Sequence, residues 1–244
     1  DVIYPETDGE PMAETDVHYA WMVRIRDQLD NHFRGQRVYI ATNLLLYYVP
    51  GQPRFSVAPD EFVVLDCQPG MRRVFKTWEE QRVPDFVLEV TSLSTQRKDE
   101  VEKRAIYEQI GVREYFLYDP TADYLQPALC GFRLDRAQRL EPLAPQPDGS
   151  LLAETLQLTL ALAGDDLVLR DARTGRILPT RAEAEAAGKK AEALAKRAAL
   201  RQVEAEAAAK QAALRQVQAE AAAKEAEALA KRVALRQVEA EVAA

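Results

Sequence analysis

The chain has 244 residues, 47% of them hydrophobic, and a formal net charge of −7, enough apolar content for a core in one large domain or two small ones. Two cysteines, Cys67 and Cys130, far apart and in no CxxC pattern, argue against a disulfide scaffold or a cysteine-built zinc site and predict a reducing, cytoplasmic compartment. Two histidines, His18 and His32, exclude a histidine-rich metal site, so any metal is expected to take oxygen ligands, as magnesium or manganese does.

Apolar runs such as NLLLYYV fall short of the roughly 18 residues that span a bilayer, so no membrane partner is expected. No charged-then-apolar leader is visible, and a chain that begins without methionine is expected to lack a few residues at its start. Charge is unevenly placed. Residues 1–180 carry 20 Lys+Arg against 29 Asp+Glu, and residues 181–244 carry 12 against 10. Local basic clusters at Arg72, Arg73 and Lys76, and at Arg97, Lys98, Lys103 and Arg104, read first as solvated loop and helix faces.

YPETDGEPMAETD is a polar, turn-rich leading segment. Thr15 or Asp16 can N-cap a helix through WMVRIRDQLDNHF that stops before Gly35, with Val17, Trp21, Ile25 and Leu29 as its sheet-facing stripe. RVYIA and NLLLYYV are predicted strands, PGQPRF a turn, and EFVVLD a third strand opened by Pro59 and Asp60. Gly70 to Val83 reads as an irregular, basic surface excursion containing Trp78.

The organising unit is PDFVLEVTSLSTQRKDEVEKRAIYEQIGVREYFLYDP, Pro84 to Pro120. FVLEV is a buried strand, a polar loop (Ser92, Ser94, Thr95, Gln96) leads to a helix that Gly111 ends, and EYFLY is a second buried strand. Two buried strands joined by a helix of this length are expected to be parallel. Alternation places Asp85, Val87, Glu89 and Thr91 on one face, and a mid-strand carboxylate requires a partner or a metal. Beyond Pro120, short β segments (GFRL, RLEPL, LQLTLAL, DLVLRD) predict a meander without chemistry.

At Pro179 the composition changes. Thr180 to Glu183 is a capping-box sequence, and from Ala191 the chain repeats in near-identical sevens. Alanine and Glu-before-Lys pairs four apart (Glu185–Lys189, Glu192–Lys196, Glu206–Lys210, Glu220–Lys224, Glu227–Lys231) favour one helix of roughly 90–100 Å. Gly188 is a weak joint. The seam Leu200, Val203, Ala207, Lys210, Leu214, Val217, Ala221, Lys224 is interrupted by lysines. Residues 180–244 are therefore expected to form a heptad-repeat tail, coiled coil or single helix, that joins weakly to a second copy or a partner helix. Residues 1–179 form the other domain.

Asp60 opens one strand and Glu89 sits inside another; if these strands are neighbours, two carboxylates converge as a hard divalent cation requires. The Val90 carbonyl is a candidate third oxygen, and Lys103, on the helix after the Glu89 strand, can reach back over the site. A metal held by two acids beside a lysine can activate water and stabilise charge on a phosphodiester. Neither a Ser-His-Asp nor a Cys-His arrangement, nor a GxxxxGKS or GxGxxG loop, is supported. Asp85 reads first as a strand-start residue and Tyr107 as core.

VAPDEFVVL (57–65), PDFVLEVTSLST (84–95) and EKRAIYEQIGVREYFLYDP (102–120), with DGEPMAETDVH and NLLLYY, together resemble the Uma-type "putative restriction endonuclease" family, a branch of the PD-(D/E)xK nuclease superfamily, over roughly residues 5–180. The resemblance implies an α/β, restriction-endonuclease-like mixed sheet flanked by helices, here followed by the β meander and the long Ala-rich helix. It implies a magnesium- or manganese-dependent DNA endonuclease with Asp60 and Glu89 as the acid pair. The superfamily lysine normally stands two residues after the strand acid, where this chain has Thr91, so Lys103 becomes the matching residue. The first helix often supplies a further acid, which brings in Glu14 and His18. The alternative is a non-catalytic binding or scaffold protein that keeps the fold and assembles through its tail; the acidic composition of residues 1–180 favours it.

Overall fold

A computed structural model describes residues 2–7, 9, 15–92, 98–123 and 125–242. Contacts divide the chain into two compact units, Asp1–Ala184 and Glu185–Ala244. The first unit is built on a six-stranded mixed sheet. In chain order its strands are β1 (Val38–Thr42), β4 (Glu61–Leu65), β6 (Phe86–Val90), β7 (Glu114–Tyr118), β8 (Leu129–Leu134) and β9 (Leu140–Pro142). They lie side by side in that order, and every neighbour pair is antiparallel except β6 and β7, which are parallel as expected. Two smaller three-stranded sheets complete the β structure. One joins β2 (Leu46–Tyr47), β3 (Ser56–Val57) and β5 (Phe75–Lys76); the other joins β10 (Leu151–Ala153), β11 (Leu158–Ala163) and β12 (Asp166–Asp171).

Period-two alternation sorts the large sheet's side chains into two cores. Ile40, Val63, Phe86, Leu88 and Phe116 face Met22, Ile25 and Leu29 of helix α1 (Asp16–His32) together with the leucines of β10 to β12. Tyr39, Phe62, Val64, Val87 and Leu117 face the other way, onto Leu46, Val57, Phe75 and Tyr107. Both faces of β6 and β7 are covered, and every residue of FVLEV and EYFLY is buried. Each large apolar side chain so buried contributes ~1.5–3 kcal/mol. The parallel crossover between them contains a π-helix, Lys98–Lys103, that runs directly into α3 (Arg104–Ile110). Gly111 ends α3 in the left-handed region (φ 85°), its amide reaching back to the Tyr107 and Glu108 carbonyls. Gly131 in β8 answers a different need, since a Cβ there would lie 2.7 Å from the Phe116 ring.

Several sequence expectations are corrected. The stripe of α1 is His18, Met22, Ile25 and Leu29, while Val17 is exposed and Trp21 is half-buried with its ring edge-on to Tyr118. Ile25 and Leu29 are common to both rows; the 4-3-4 steps of the observed row follow the 3.6-residue period, from which a strict four-residue step drifts. Of NLLLYYV only Leu46–Tyr47 pairs, and it does so in a side sheet. The excursion from Gly70 to Val83 contains β5 and a short helix α2 (Thr77–Glu80), with Phe75 fully buried. The meander is divided: GFRL and RLEPL extend the large sheet, and the later segments form their own.

The capping box is present as read. Thr180 Oγ1 accepts from the Glu183 amide at 3.2 Å, and Glu183 Oε2 accepts from the Thr180 amide at 2.8 Å. It opens helix α4 (Arg181–Val242), whose first turn is tied to α1 by the Arg181 amide donating to Asp27 Oδ2. The second unit is the rest of that helix. Glu192–Lys196 and Glu227–Lys231 close their expected ion pairs, while Glu206 and Glu220 accept from Gln202 and Gln216. Leu200, Val203, Leu214 and Val217 are exposed. Among the described residues no helix is long and apolar enough to cross a membrane.

Candidate active site

The register of β4 on β6 pairs Glu61 with Leu88, which sets Asp60 beside Glu89 at the strand ends. The Asp60 amide donates to Glu89 Oε2 at 3.2 Å, and Asp60 Oδ2 accepts from the Val90 amide at 2.8 Å. The Asp60 carboxylate thus takes the place of a ladder carbonyl just beyond the strand. On the far side, His18 of α1 lies with Nε2 3.0 Å from the same Oδ2. Among the described residues nothing donates to Asp60 Oδ1.

Above Glu89 sits the crossover helix. Lys103 and Tyr107 are one turn apart and both point at the carboxylate: Lys103 Nζ lies 2.7 Å from Glu89 Oε2, and the Tyr107 hydroxyl donates to Oε1. Asp99, four residues before Lys103, lies 3.0 Å from the same ammonium through Oδ1. The Asp99 carbonyl in turn accepts from the Tyr115 hydroxyl at 2.8 Å. Glu89 is fully buried, and Asp60, Asp99 and Lys103 are each at most 9% exposed.

Glu89 and Asp99 thus share one ammonium, with Asp60 beside Glu89, in a largely buried cluster. Burial pushes Glu89 up to about 8; the Lys103 ammonium pulls the other way, and Asp60 and Asp99 add to the rise. For Lys103, burial works against the charge, but Glu89, Asp99 and Asp60 outweigh it and hold the lysine protonated, above its ordinary value. Burial, then Glu89, also pushes the Tyr107 hydroxyl well up, so it remains a donor.

The sequence-derived residues therefore divide. Asp60, Glu89 and Lys103 come together, and His18 joins them through Asp60. Val90 makes its contact through the amide, on Asp60, rather than through its carbonyl. Thr91 is buried immediately beyond β6. Asp85, at the opposite end of that strand, accepts from the Leu65 amide at 2.7 Å and pairs with Arg113 at 3.0 Å, a structural role. Glu14 lies outside the described residues. Sequence reading passed over Asp99 and read Tyr107 as core. Tyr107 is core and also a hydrogen-bond donor, and an acid four residues before a lysine was the available signal for Asp99. Among the described residues no three His, Cys, Asp or Glu side chains gather as a complete metal cage.

No curated protein matches the chain. The crystal structure of a "putative nuclease belonging to DUF820" from Anabaena variabilis ATCC 29413 aligns over 62% of this chain and 80% of its own, with 15% identity and a TM-score of 0.43. The family described as "Uma2: Putative restriction endonuclease" matches residues 3–163, the span that carries every residue of the cluster around Glu89, and the chain belongs to that family.

Proposed function

We propose that this protein is a magnesium- or manganese-dependent endonuclease that hydrolyses phosphodiester bonds in DNA, with Asp60 and Glu89 as the metal-holding acids and Lys103 as the charge-stabilising group. The observation that carries the reading is the buried cluster itself. Asp60 and Glu89 stand side by side with Asp99 nearby, and Lys103 bridges Glu89 and Asp99, at a depth where charge is expensive to bury. Such a site favours a further positive charge, and its donors are oxygens, as a hard divalent ion requires. Among the described residues Asp60 Oδ1 carries no hydrogen bond, and the Glu89 oxygen nearest Asp60 is Oε2, which now carries the Lys103 ammonium. The Val90 carbonyl is the proposed third oxygen.

A divalent ion there would lower the pKa of a bound water and neutralise charge on the phosphate oxygens. The chain's own residues do the rest. The Val90 amide and His18 fix the Asp60 carboxylate, and Tyr107 fixes that of Glu89. Lys103 brings a preorganised ammonium to the place where negative charge develops on a scissile phosphate.

The test is plasmid nicking at matched salt, with magnesium, manganese or a chelator. Wild type should cut only with the ion, Glu89→Gln should not cut, and Lys103→Ala should lose about 10²–10³ in rate. A wild type inert with every divalent ion and DNA form gives way to the second reading, a non-catalytic scaffold assembled through the tail. That reading draws support from the excess of 29 acids over 20 bases in residues 1–180. The exposed Leu and Val of α4 would then carry weak self-association or a partner helix.

A further inference from the structure

The oxygen of Glu89 nearest Asp60 is already occupied by a cation. Glu89 Oε2 accepts from the Asp60 amide and from Lys103 Nζ, at 3.2 and 2.7 Å, while Oε1 faces Tyr107. An ion shared between Glu89 and Asp60 would draw on Oε2, the oxygen that already holds the lysine. Ammonium and metal therefore contest one place.

The lysine has a second seat. Its ammonium is 3.0 Å from Asp99 Oδ1 as well, and the backbone of Asp99 is pinned by Tyr115. Leaving Glu89 for Asp99 needs only rotation about the last torsions of a flexible four-carbon stem, with no movement of the helix. Removing the lysine altogether would take the cation from the fully buried Glu89, so a seat that retains it nearby is worth having.

We infer that Lys103 is a built-in counter-cation that competes with a divalent ion for Glu89, and that Asp99 is the positioning residue that keeps the ammonium when the ion has taken Glu89. This rests on Asp60 and Glu89 being the cation ligands. Metal binding then both completes the site and frees the lysine from its strongest partner, so the charge-stabilising group becomes available only when the ion is present.

The experiment uses the full chain and Ca²⁺, an oxygen-seeking diamagnetic ion, with no reaction required. By calorimetry at fixed salt, Lys103→Met should bind Ca²⁺ about tenfold more tightly than wild type, and Asp99→Asn about tenfold more weakly. Reductive methylation distinguishes a seat from a mere charge. Lys103 should stay protected in wild type with or without Ca²⁺, and become reactive in Asp99→Asn only when Ca²⁺ is added. Should Lys103→Met fail to fold, the Nζ resonance of Lys103 in ¹⁵N-lysine-labelled wild type should shift on Ca²⁺ binding. Unchanged or weaker Ca²⁺ binding by Lys103→Met overturns the competition, as does a Lys103 resonance that stays put while Ca²⁺ binds. Continued protection of Lys103 in Asp99→Asn with Ca²⁺ bound overturns the role of Asp99. If wild type and all variants bind neither Ca²⁺ nor Mg²⁺, it is the acid pair that fails as a cation site, a result distinct from either.

Discussion

Two fully buried glutamates stand on neighbouring parallel strands, Glu89 on β6 and Glu114 on β7, and they are solvated by the protein in opposite ways. Glu114 has a guanidinium and two backbone amides. Arg133 pairs with Oε1 through both Nε and Nη2, and Oε1 and Oε2 also accept from the Glu154 and Thr155 amides and the Thr155 hydroxyl. These donors staple the loop between β10 and β11 onto the large sheet. Glu89 has a lysine shared with a second acid, a tyrosine, one amide and another carboxylate next door. One carboxylate is compensated by two backbone amides and a fork of donors, and the other by a hydroxyl, one amide and an ammonium that it shares with a second acid. The lesson is that burial alone does not mark a reactive acid; the kind of compensation does.

The largest effect expected from breaking this contrast is in Glu114. Glu114→Ala should cost about 3–5 kcal/mol in chemical denaturation, because two amides and a guanidinium lose their acceptor at once. Glu89→Gln should instead leave the first unit folded but remove any rise in Tm caused by magnesium or manganese, as binding linkage requires. Equal stabilisation of wild type and Glu89→Gln by the ion would put the cation elsewhere.

The same contrast predicts a pH dependence. The carboxyl of Glu89 is pushed up to about 8 in the fold from an unfolded value near 4.5, so the folded state holds its proton more tightly. Its contribution is fully present below the unfolded value and is lost as pH rises through about 8. Denaturation midpoints of the metal-free protein should decline accordingly, and Glu89→Gln should flatten the curve.

Smaller effects lie nearby. Arg104 stands next to Lys103 in sequence but donates to the Leu140 carbonyl and lies 4.1 Å over the Phe132 ring. Arg104→Ala should therefore cost about 1–2 kcal/mol in stability while leaving nicking by the folded protein intact, whereas Lys103→Ala should remove most of the nicking. Smallest of all is Glu61, fully buried next to Asp60, with Oε1 bonded to Thr42 and no partner for Oε2 among the described residues. Burial pushes its carboxyl well up, so the neutral isostere Glu61→Gln should change stability at neutral pH by less than about 1 kcal/mol, in either direction. A larger loss would mean that Glu61 works as a carboxylate.

Local pattern made much of this legible in advance. FVLEV and EYFLY announced buried strands, a mid-strand acid announced Glu89, and Thr180 with Glu183 announced where α4 begins. These are properties of a few adjacent residues: alternation, capping chemistry and the price of an unpaired charge in an apolar run. Partnership between distant segments is another matter. That Asp85 would bind a neighbouring strand's amide while Glu89, on the same strand, faced Lys103 depended on how β4 and α3 dock on β6. Asp99 and Tyr107 stand four residues before and after Lys103, a spacing legible in the chain, but that this row faces Glu89 was decided by how the crossover packs on the sheet. The sequence by itself determined which residues could not be left in an apolar interior without a partner; tertiary register decided which partner each received, because that choice is made by contacts between elements far apart in the chain.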